Sequence, residues 1–383
     1  MKPTILLVSF VFSPNLGGIE THLDDLCAQL TQKGHVVTVI TYQPLISSFS
    51  APIVENHDHL TIIRIPWFKG NLYQKLENNP LGQILYLVPP ILLCSFVYLF
   101  FTRKSIRVIQ THGFIMAIVG AILSVISGIP FTVHTHVSFR FLRGSFYAKI
   151  LLRVLRRAKC VLVLTPDAMQ ELVRLGLDRS IIRTYHYWVD AVFQPRDKKK
   201  SRKTLSFTPD AFIVLFVGRF IRDKGVQIVL ETAKKLRNIT FLFIGSGELS
   251  GDVKQMAKQY GNIRYEGIQD RVHLSYYYSA SDVCVIPSSL KDKTYMEGIP
   301  RVMIESFSCG TPVVSTKAGG LKTYITTHVG FIIAPNVSGL VKKLSWIMKN
   351  RSVLPSMSQH CISLSHSEFS MERNLRIIEA SVS

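Results

Sequence analysis

The stretch Glu297-Gly298-Ile299-Pro300-Arg301-Val302-Met303-Ile304-Glu305 lies between two apolar runs. Asp282-Val283-Cys284-Val285-Ile286-Pro287-Ser288 precedes it and Cys309-Gly310-Thr311-Pro312-Val313-Val314 follows. The first run reads as a buried strand ending at Pro287. A loop carrying Glu297 comes next, and the pattern predicts a helix from about Arg301. Glycine and proline ahead of that helix leave its first backbone N–H groups without partners inside it, and such a start attracts anions. Glu305, about one turn inside, can face the same way and accept hydrogen bonds from sugar hydroxyls. A carboxylate suits hydroxyls because it offers several acceptor sites and no donor. Phosphate and polyol carried on one ligand is the chemistry of a nucleotide sugar.

Outward from this stretch the chain alternates strand and helix. The opening pattern is a strand over Ile5 to Phe10, a loop through Gly17-Gly18, a helix, then a strand over Val36 to Thr41. Within that helix Ile19, Leu23, Leu26, Cys27 and Leu30 fall at helical spacing, and Gly34 sits where a C-cap glycine belongs. Further strands are expected at Val108 to Thr111, Phe131 to Thr135 and Val161 to Leu164, with Phe114 to Ile129 as a core helix. A charged stretch, Arg196-Asp197-Lys198-Lys199-Lys200-Ser201-Arg202-Lys203, reads as solvated linker or loop. A second series then supplies strands at Ile213 to Val217, Thr240 to Ile244, Val283 to Ile286 and Val313 to Ser315. At 383 residues the chain is too long for one ordinary core. Two consecutive series imply an α/β protein of two Rossmann-like domains, residues 1–192 and 193–365, facing each other across a ligand-binding cleft. The glycine loop lacks G-x-G-x-x-G, which disfavours a dinucleotide oxidoreductase.

Three blocks carry a family resemblance. The Glu297 to Glu305 segment resembles the Glu-x7-Glu signature of the retaining GT-B glycosyltransferases of the family 4 (group 1) class. Gly17-Gly18-Ile19-Glu20-Thr21-His22 is similar to that family's amino-terminal glycine loop. Val217-Gly218-Arg219-Phe220-Ile221-Arg222-Asp223-Lys224-Gly225 resembles the block opening its second domain. The blocks occur in order, and the likeness runs from about Ile5 to the last helix. The resemblance implies a GT-B fold, with a terminal segment near 366–383 crossing back to the first, acceptor-binding domain while the second domain binds the donor. It implies a hexosyltransferase that uses a UDP- or GDP-sugar, retains anomeric configuration and acts on a lipid-linked or glycan acceptor.

It also implies residue roles. Arg219 and Lys224 would contact the donor diphosphate, which suits a planar fork and a point charge placed just after a buried strand. With no Asp-x-Asp in a convincing loop, these fixed cations, rather than a metal, are expected to neutralise the leaving group. Gly17 and Gly18 would let backbone N–H groups approach the diphosphate, and Gly245-Ser246-Gly247-Glu248 resembles a donor-side loop. Glu305 would hold the ribose hydroxyls, Glu297 would lie near the transferred sugar, and the backbone of Gly298, Ile299, Pro300, Arg301 and Val302 would bind phosphate or sugar. His136 matches the acceptor-side histidine by its distance from Pro130, with His112 a second candidate. Alternation puts His134 on the same side of its strand as His136. Two departures stand out: Thr323 replaces an acidic residue after Ala318-Gly319-Gly320-Leu321, and Tyr187-Trp188-Val189-Asp190 stands where relatives carry Asn-Gly-Val-Asp.

The formal net charge of +20 calls for an acidic partner: nucleic acid, an anionic membrane or a phosphorylated substrate. Basic residues are not interleaved with an aromatic stacking platform, which disfavours nucleic acid. Between Glu77 and Asp167 there is no Asp or Glu, while Arg103, Lys104, Arg107, Arg140, Arg143, Lys149, Arg153, Arg156, Arg157 and Lys159 fall inside. Tyr147, Leu151, Val154 and Leu155 mark one helical face and Lys149, Arg153 and Arg156 another, the pattern of a helix lying on an anionic leaflet. Ile84 to Phe101 is apolar for roughly the length of a short span, but Pro89-Pro90 predicts a buried or monotopic hairpin. The six cysteines are scattered without metal-binding spacing, and the amino terminus lacks signal-peptide features. The expected setting is therefore cytoplasmic and peripheral to the membrane. Competing readings are a GT-B-shaped phosphorylase or epimerase, a degenerate scaffold, and a basic nucleic-acid binder.

Overall fold

The computed structural model describes residues 4–15, 17–45, 50–68, 72–76, 79–139, 146–288 and 295–382. The chain divides into two compact units: Met1–His186 with Glu372–Ser383, and Tyr187–Met371. The division falls at His186, ahead of residue 192.

In the first unit the elements run β1 (Thr4–Ser9), α1 (Gly18–Gln32), β2 (Val36–Tyr42), β3 (Val54–His57), β4 (Leu60–Ile65), α2 (Leu72–Lys75), α3 (Pro80–Thr102), β5 (Ile106–His112), α4 (Phe114–Ser127), β6 (Phe131–His134), β7 (Val137–Phe139), α5 (Phe146–Leu155), β8 (Cys160–Val163), α6 (Pro166–Leu175) and β9 (Ile182–Thr184). Eight strands form one sheet in the order β3-β4-β2-β1-β5-β6-β8-β9. Its strands are parallel except for the edge hairpin β3–β4. Buried on both faces, β8 and the interior of β1 are continuous apolar runs, while β6 buries Thr132 and His134 along with Phe131 and Val133. Helices stop where local chemistry stops them. Thr165 caps α6 by accepting from the Ala168 N–H, and Gly176, at φ 103°, ends it in the left-handed region that favours glycine.

The structure corrects two sequence expectations here. Residues 84–101 are not a hairpin but part of the single 23-residue helix α3, with Pro89 and Pro90 inside it. Pro90 cannot donate to the Tyr86 carbonyl, and Trp67 Nε1 does so instead at 3.0 Å. The charged stretch after residue 196 is not a solvated linker. Lys198–Thr204 is a helix of the second unit, and its Ser201 and Arg202 are buried.

The second unit runs α7 (Lys198–Thr204), β10 (Ile213–Val217), α8 (Val226–Lys235), β11 (Thr240–Ile244), α9 (Ser250–Gln259), β12 (Ile263–Gly267), α10 (Arg271–Ala280), β13 (Val283–Ile286), β14 (Tyr295–Glu297), α11 (Arg301–Ser308), β15 (Val313–Ser315), α12 (Leu321–Tyr324), β16 (Gly330–Ile332), α13 (Val337–Lys349) and α14 (Leu354–Glu368). Six parallel strands are ordered β12-β11-β10-β13-β15-β16. Phe216, Phe220, Phe241 and Phe243 help fill its core.

Helix α15 (Met371–Val382) returns the chain to the first unit. Glu379 pairs with Lys33 at 3.0 Å and His35 at 3.2 Å, while Asn374 accepts from the His186 N–H at 2.7 Å.

Candidate active site

In an open parallel sheet, ligands bind beyond the carboxyl ends of the strands, where the strand order reverses. That point lies between β1 and β5 in the first unit and between β10 and β13 in the second. His112 ends β5 at the first of these places, and Arg219 follows β10 at the second.

At the first reversal, Ser9 is the register partner of His112, and His112 of His134, so the ends of three strands meet. His112 Nδ1 lies 3.0 Å from His136 Nε2, with one ring donating and the other accepting. The His134 and His136 rings both stack on His112, with centroids at 4.4 and 5.2 Å. His22, from α1, meets His136 edge-on at 6.3 Å and Tyr185 at 5.9 Å. All these rings are buried, and His136, at 6% exposure, is the most accessible imidazole of the group. The sequence passed over His22 and Tyr185, although His22 stands in the quoted glycine block, one helical turn before Leu26. Gly17 precedes α1 in extended backbone, and a Cβ there would come within 2.3 Å of a Glu20 carboxylate oxygen.

Burial drives the imidazoles toward neutrality. It holds His112 and His134 well below the usual 6.5, with neighbouring imidazoles adding to the effect, and lowers His136 to about 3. Below the ordinary imidazole value the unfolded chain binds protons that the folded chain does not. Stability present above about pH 6.5 is therefore lost as the pH falls toward the folded values, by about 1.4 kcal/mol per unit for each such group. The urea midpoint is expected to drop from pH 7.5 to 5.5 more steeply than a single histidine can produce. A flat profile would mean that the cluster is solvated.

At the second reversal, two glycine loops pack backbone against backbone. Gly218 and Phe220 N–H groups donate to Ile244 and Ser246 carbonyls at 3.1 and 2.8 Å. A Cβ on Gly245, at φ 130°, would fall 2.0 Å from the Gly218 oxygen, so only glycine fits there. Gly247 follows in the same loop. Arg219, just past β10, is exposed and makes no ion pair among the described residues. Lys224 closes a single 3-10 turn, and Gly225 after it, at φ 74°, abuts the Pro287 carbonyl at the end of β13. The two cations thus stand on the loop that bridges the reversal.

Helix α11 begins at Arg301, as expected, with Pro300 as its N-cap and Met303, Ile304 and Phe307 buried beneath it. Gly298 and Ile299 are buried just ahead, Val302 is half-buried, and the Gly298 carbonyl accepts from the Gly320 N–H at 3.0 Å. Glu305 is anchored by a partner that the sequence did not reveal: Tyr278 Oη donates to its Oε2 at 2.8 Å. Burial and then this carboxylate push the Tyr278 phenol well above its usual range, so it stays a donor. Arg301 Nε stands 3.9 Å from Glu305 Oε1. The Glu297 side chain lies outside the described residues, as do Arg140 and Arg143. Among the described residues, no group of three or more His, Cys, Asp or Glu is placed to hold a metal ion.

Two α/β units, each with a parallel sheet, and a last helix returned to the first define the GT-B class. The family model of glycosyl transferases group 1 matches residues 197–363, and that of the glycosyl transferase 4-like domain matches 17–188. The chain belongs to the group 1 glycosyltransferases. D-inositol 3-phosphate glycosyltransferase 2 of Catenulispora acidiphila is 32% identical over 179 residues, 42% of this chain and 40% of that protein. This match spans about two fifths of that relative's length. Sucrose-phosphate synthase of Thermosynechococcus elongatus superposes with a TM-score of 0.76 at 22% identity, covering 99% of this chain and 98% of that one. Anabaena HepE in complex with UDP-glucose gives 0.71 at 18% identity, covering 99% and 98%.

Proposed function

We propose that the protein transfers a hexose, with retention of configuration, from a UDP- or GDP-sugar to a lipid-linked or glycan acceptor at the cytoplasmic membrane surface. The observation that carries this reading is the second strand-order reversal. There the exposed Arg219, with no ion pair among the described residues, the Lys224 turn and the glycine loops follow the carboxyl ends of β10 and β11, and Tyr278 anchors Glu305 on α11. A diphosphate meets cations and backbone on the bridging loop. A ribose meets a carboxylate already held on one side by Tyr278, which lowers the cost of ordering it. Glu297 would sit beside the transferred sugar.

In the transfer step, the C1–O bond to the diphosphate breaks and the acceptor oxygen bonds to C1 on the same face. The departing phosphate oxygen takes the acceptor proton, and the nucleoside diphosphate leaves. Arg219 and Lys224 stabilise the charge growing on that phosphate, so no divalent cation is required. His136, held by His112, would orient the acceptor or a donor phosphate as a neutral imidazole. The matched transferase models favour this reading over an epimerase, a phosphorylase or a nucleic-acid binder. The names of relatives such as the D-inositol 3-phosphate enzyme support a second acceptor class, a soluble phosphorylated polyol.

The test is a panel of nucleotide sugars scored for diphosphate release, with membrane lipid extract or inositol phosphates as acceptor and EDTA throughout. Glu297→Ala is expected to abolish transfer and leave thermal unfolding unchanged. Near-normal turnover of that variant would overturn the assignment, and an EDTA-sensitive reaction would overturn metal independence. The anomeric configuration of the product, read by NMR, tests retention.

A further inference from the structure

Helix α3 packs one face on the first unit's core and leaves the other bare. Tyr86, Leu87, Ile91 and Leu99 are buried, Tyr98 Oη bonds Thr38, and Tyr42 Oη donates to the Leu87 carbonyl. The outward stripe, Leu81, Leu85, Leu93, Phe96, Val97 and Phe100 with Phe101, carries no polar side chain, and Phe100 and Phe101 are 75% and 79% exposed. Solvated surface helices place charge on that face. Next to α3, the end of α4 adds Val125 and Ile126, 63% and 56% exposed. A contiguous apolar surface of this kind marks an interaction site.

Its rim names the partner. Arg103, Lys104 and Arg107 are exposed just beyond the Phe100–Phe101 end. The Arg103 guanidinium lies 3.7 Å from where a Cβ on Gly128 would stand, at the close of α4. Beyond α4, helix α5 buries Ala148, Leu151 and Leu155 and exposes Lys149 and Arg153, with Arg156, Arg157 and Lys159 exposed after it. No carboxylate occurs between residues 78 and 166 to offset these charges. A second copy would set the same cations against them. Hydrocarbon beneath an anionic headgroup layer matches both parts, because the stripe needs an apolar phase and the rim needs phosphate.

We propose that α3 lies in the interface of an anionic bilayer, inserting its outer stripe to acyl-chain depth while the Arg103–Arg107 and α5 cations hold phosphate headgroups. The helix does not span the bilayer, because its inner face is committed to the sheet. In addition, Pro89 has no N–H to donate to the Leu85 carbonyl within the helix. This inference deepens and rests on the peripheral-membrane reading above.

The experiment is flotation of the full chain with phosphatidylcholine vesicles, with and without phosphatidylglycerol. Two variants are compared: the stripe variant Leu93→Ser/Phe100→Ser/Phe101→Ser and the rim variant Lys149→Glu/Arg153→Glu. The protein is expected to bind anionic vesicles. The stripe variant should lose about a hundredfold in partitioning at unchanged thermal stability. The rim variant should lose binding mainly at low salt. Undiminished binding by the stripe variant alongside lost binding by the rim variant overturns α3 insertion and leaves peripheral attachment standing. No vesicle binding at all overturns both, and a solution dimer dissociated by the stripe substitutions assigns the surface to a second copy instead. None of these measurements reads turnover, so failure of the transferase assignment remains distinguishable.

Discussion

Replacing both Arg219 and Lys224 with alanine is expected to lower kcat/KM by about three orders of magnitude, roughly 4 kcal/mol of transition-state stabilisation, with unfolding unchanged. Arg219 is exposed and Lys224 half-buried on the loop bridging β10 and β13, so little packing is lost with them. On the proposed function, what would be lost is positive charge fixed in place before the diphosphate begins to leave. A cation recruited from solvent must reorganise at that moment, whereas one held by the glycine-bound loop does not. Each single variant is expected to fall about a hundredfold, and the pair less than the product, since in the proposed reaction both would act on the same leaving group. Arg219→Lys should recover part of kcat, because a point charge replaces the planar fork. Activity within threefold of the parent would remove the diphosphate from these residues.

Asp282→Ala is expected to destabilise the second unit by about 3–5 kcal/mol, roughly 10 °C in Tm for a unit of this size. Asp282 is buried ahead of β13 and satisfies three groups at once. Its Oδ2 accepts from Arg202 at 2.8 Å and from the Ile213 N–H at 2.7 Å, and its Oδ1 accepts from Lys198 at 2.7 Å. Removing the carboxylate leaves the Arg202 guanidinium, 5% exposed, without its counter-charge. Replacing Arg202 and Asp282 together by apolar residues is expected to cost less than Asp282→Ala alone, because no uncompensated charge stays inside. Differential scanning calorimetry of the two variants beside the parent decides it. Equal losses from the single and the double change would mean that the pair is solvated.

The same two residues show where sequence reading stops. Apolar runs such as Ile213–Val217, Thr240–Ile244 and Val283–Ile286 were legible to the residue, because a strand buried on both faces has no other composition. The helix start at Arg301 was legible because Gly298 and Pro300 punctuate it. Lys198–Thr204 was not, since a basic run looks solvated until a buried partner 80 residues later accounts for Arg202. Tyr278 was hidden for the same reason: nothing local in Tyr276-Tyr277-Tyr278 says which ring meets Glu305. Pro89-Pro90 misled in the opposite direction. The helix-breaking rule is local, and the rescue by Trp67 is tertiary.

The return of α15 has a bearing on how the molecule comes into being. Leu375, Ile378 and Val382 complete the first unit, and Asn374 and Glu379 tie it to His186, Lys33 and His35. On the ribosome, everything from Tyr187 to Met371 emerges before that helix does. The half of the protein translated first is thus the half finished last, and it must wait with an open seam while its neighbour matures.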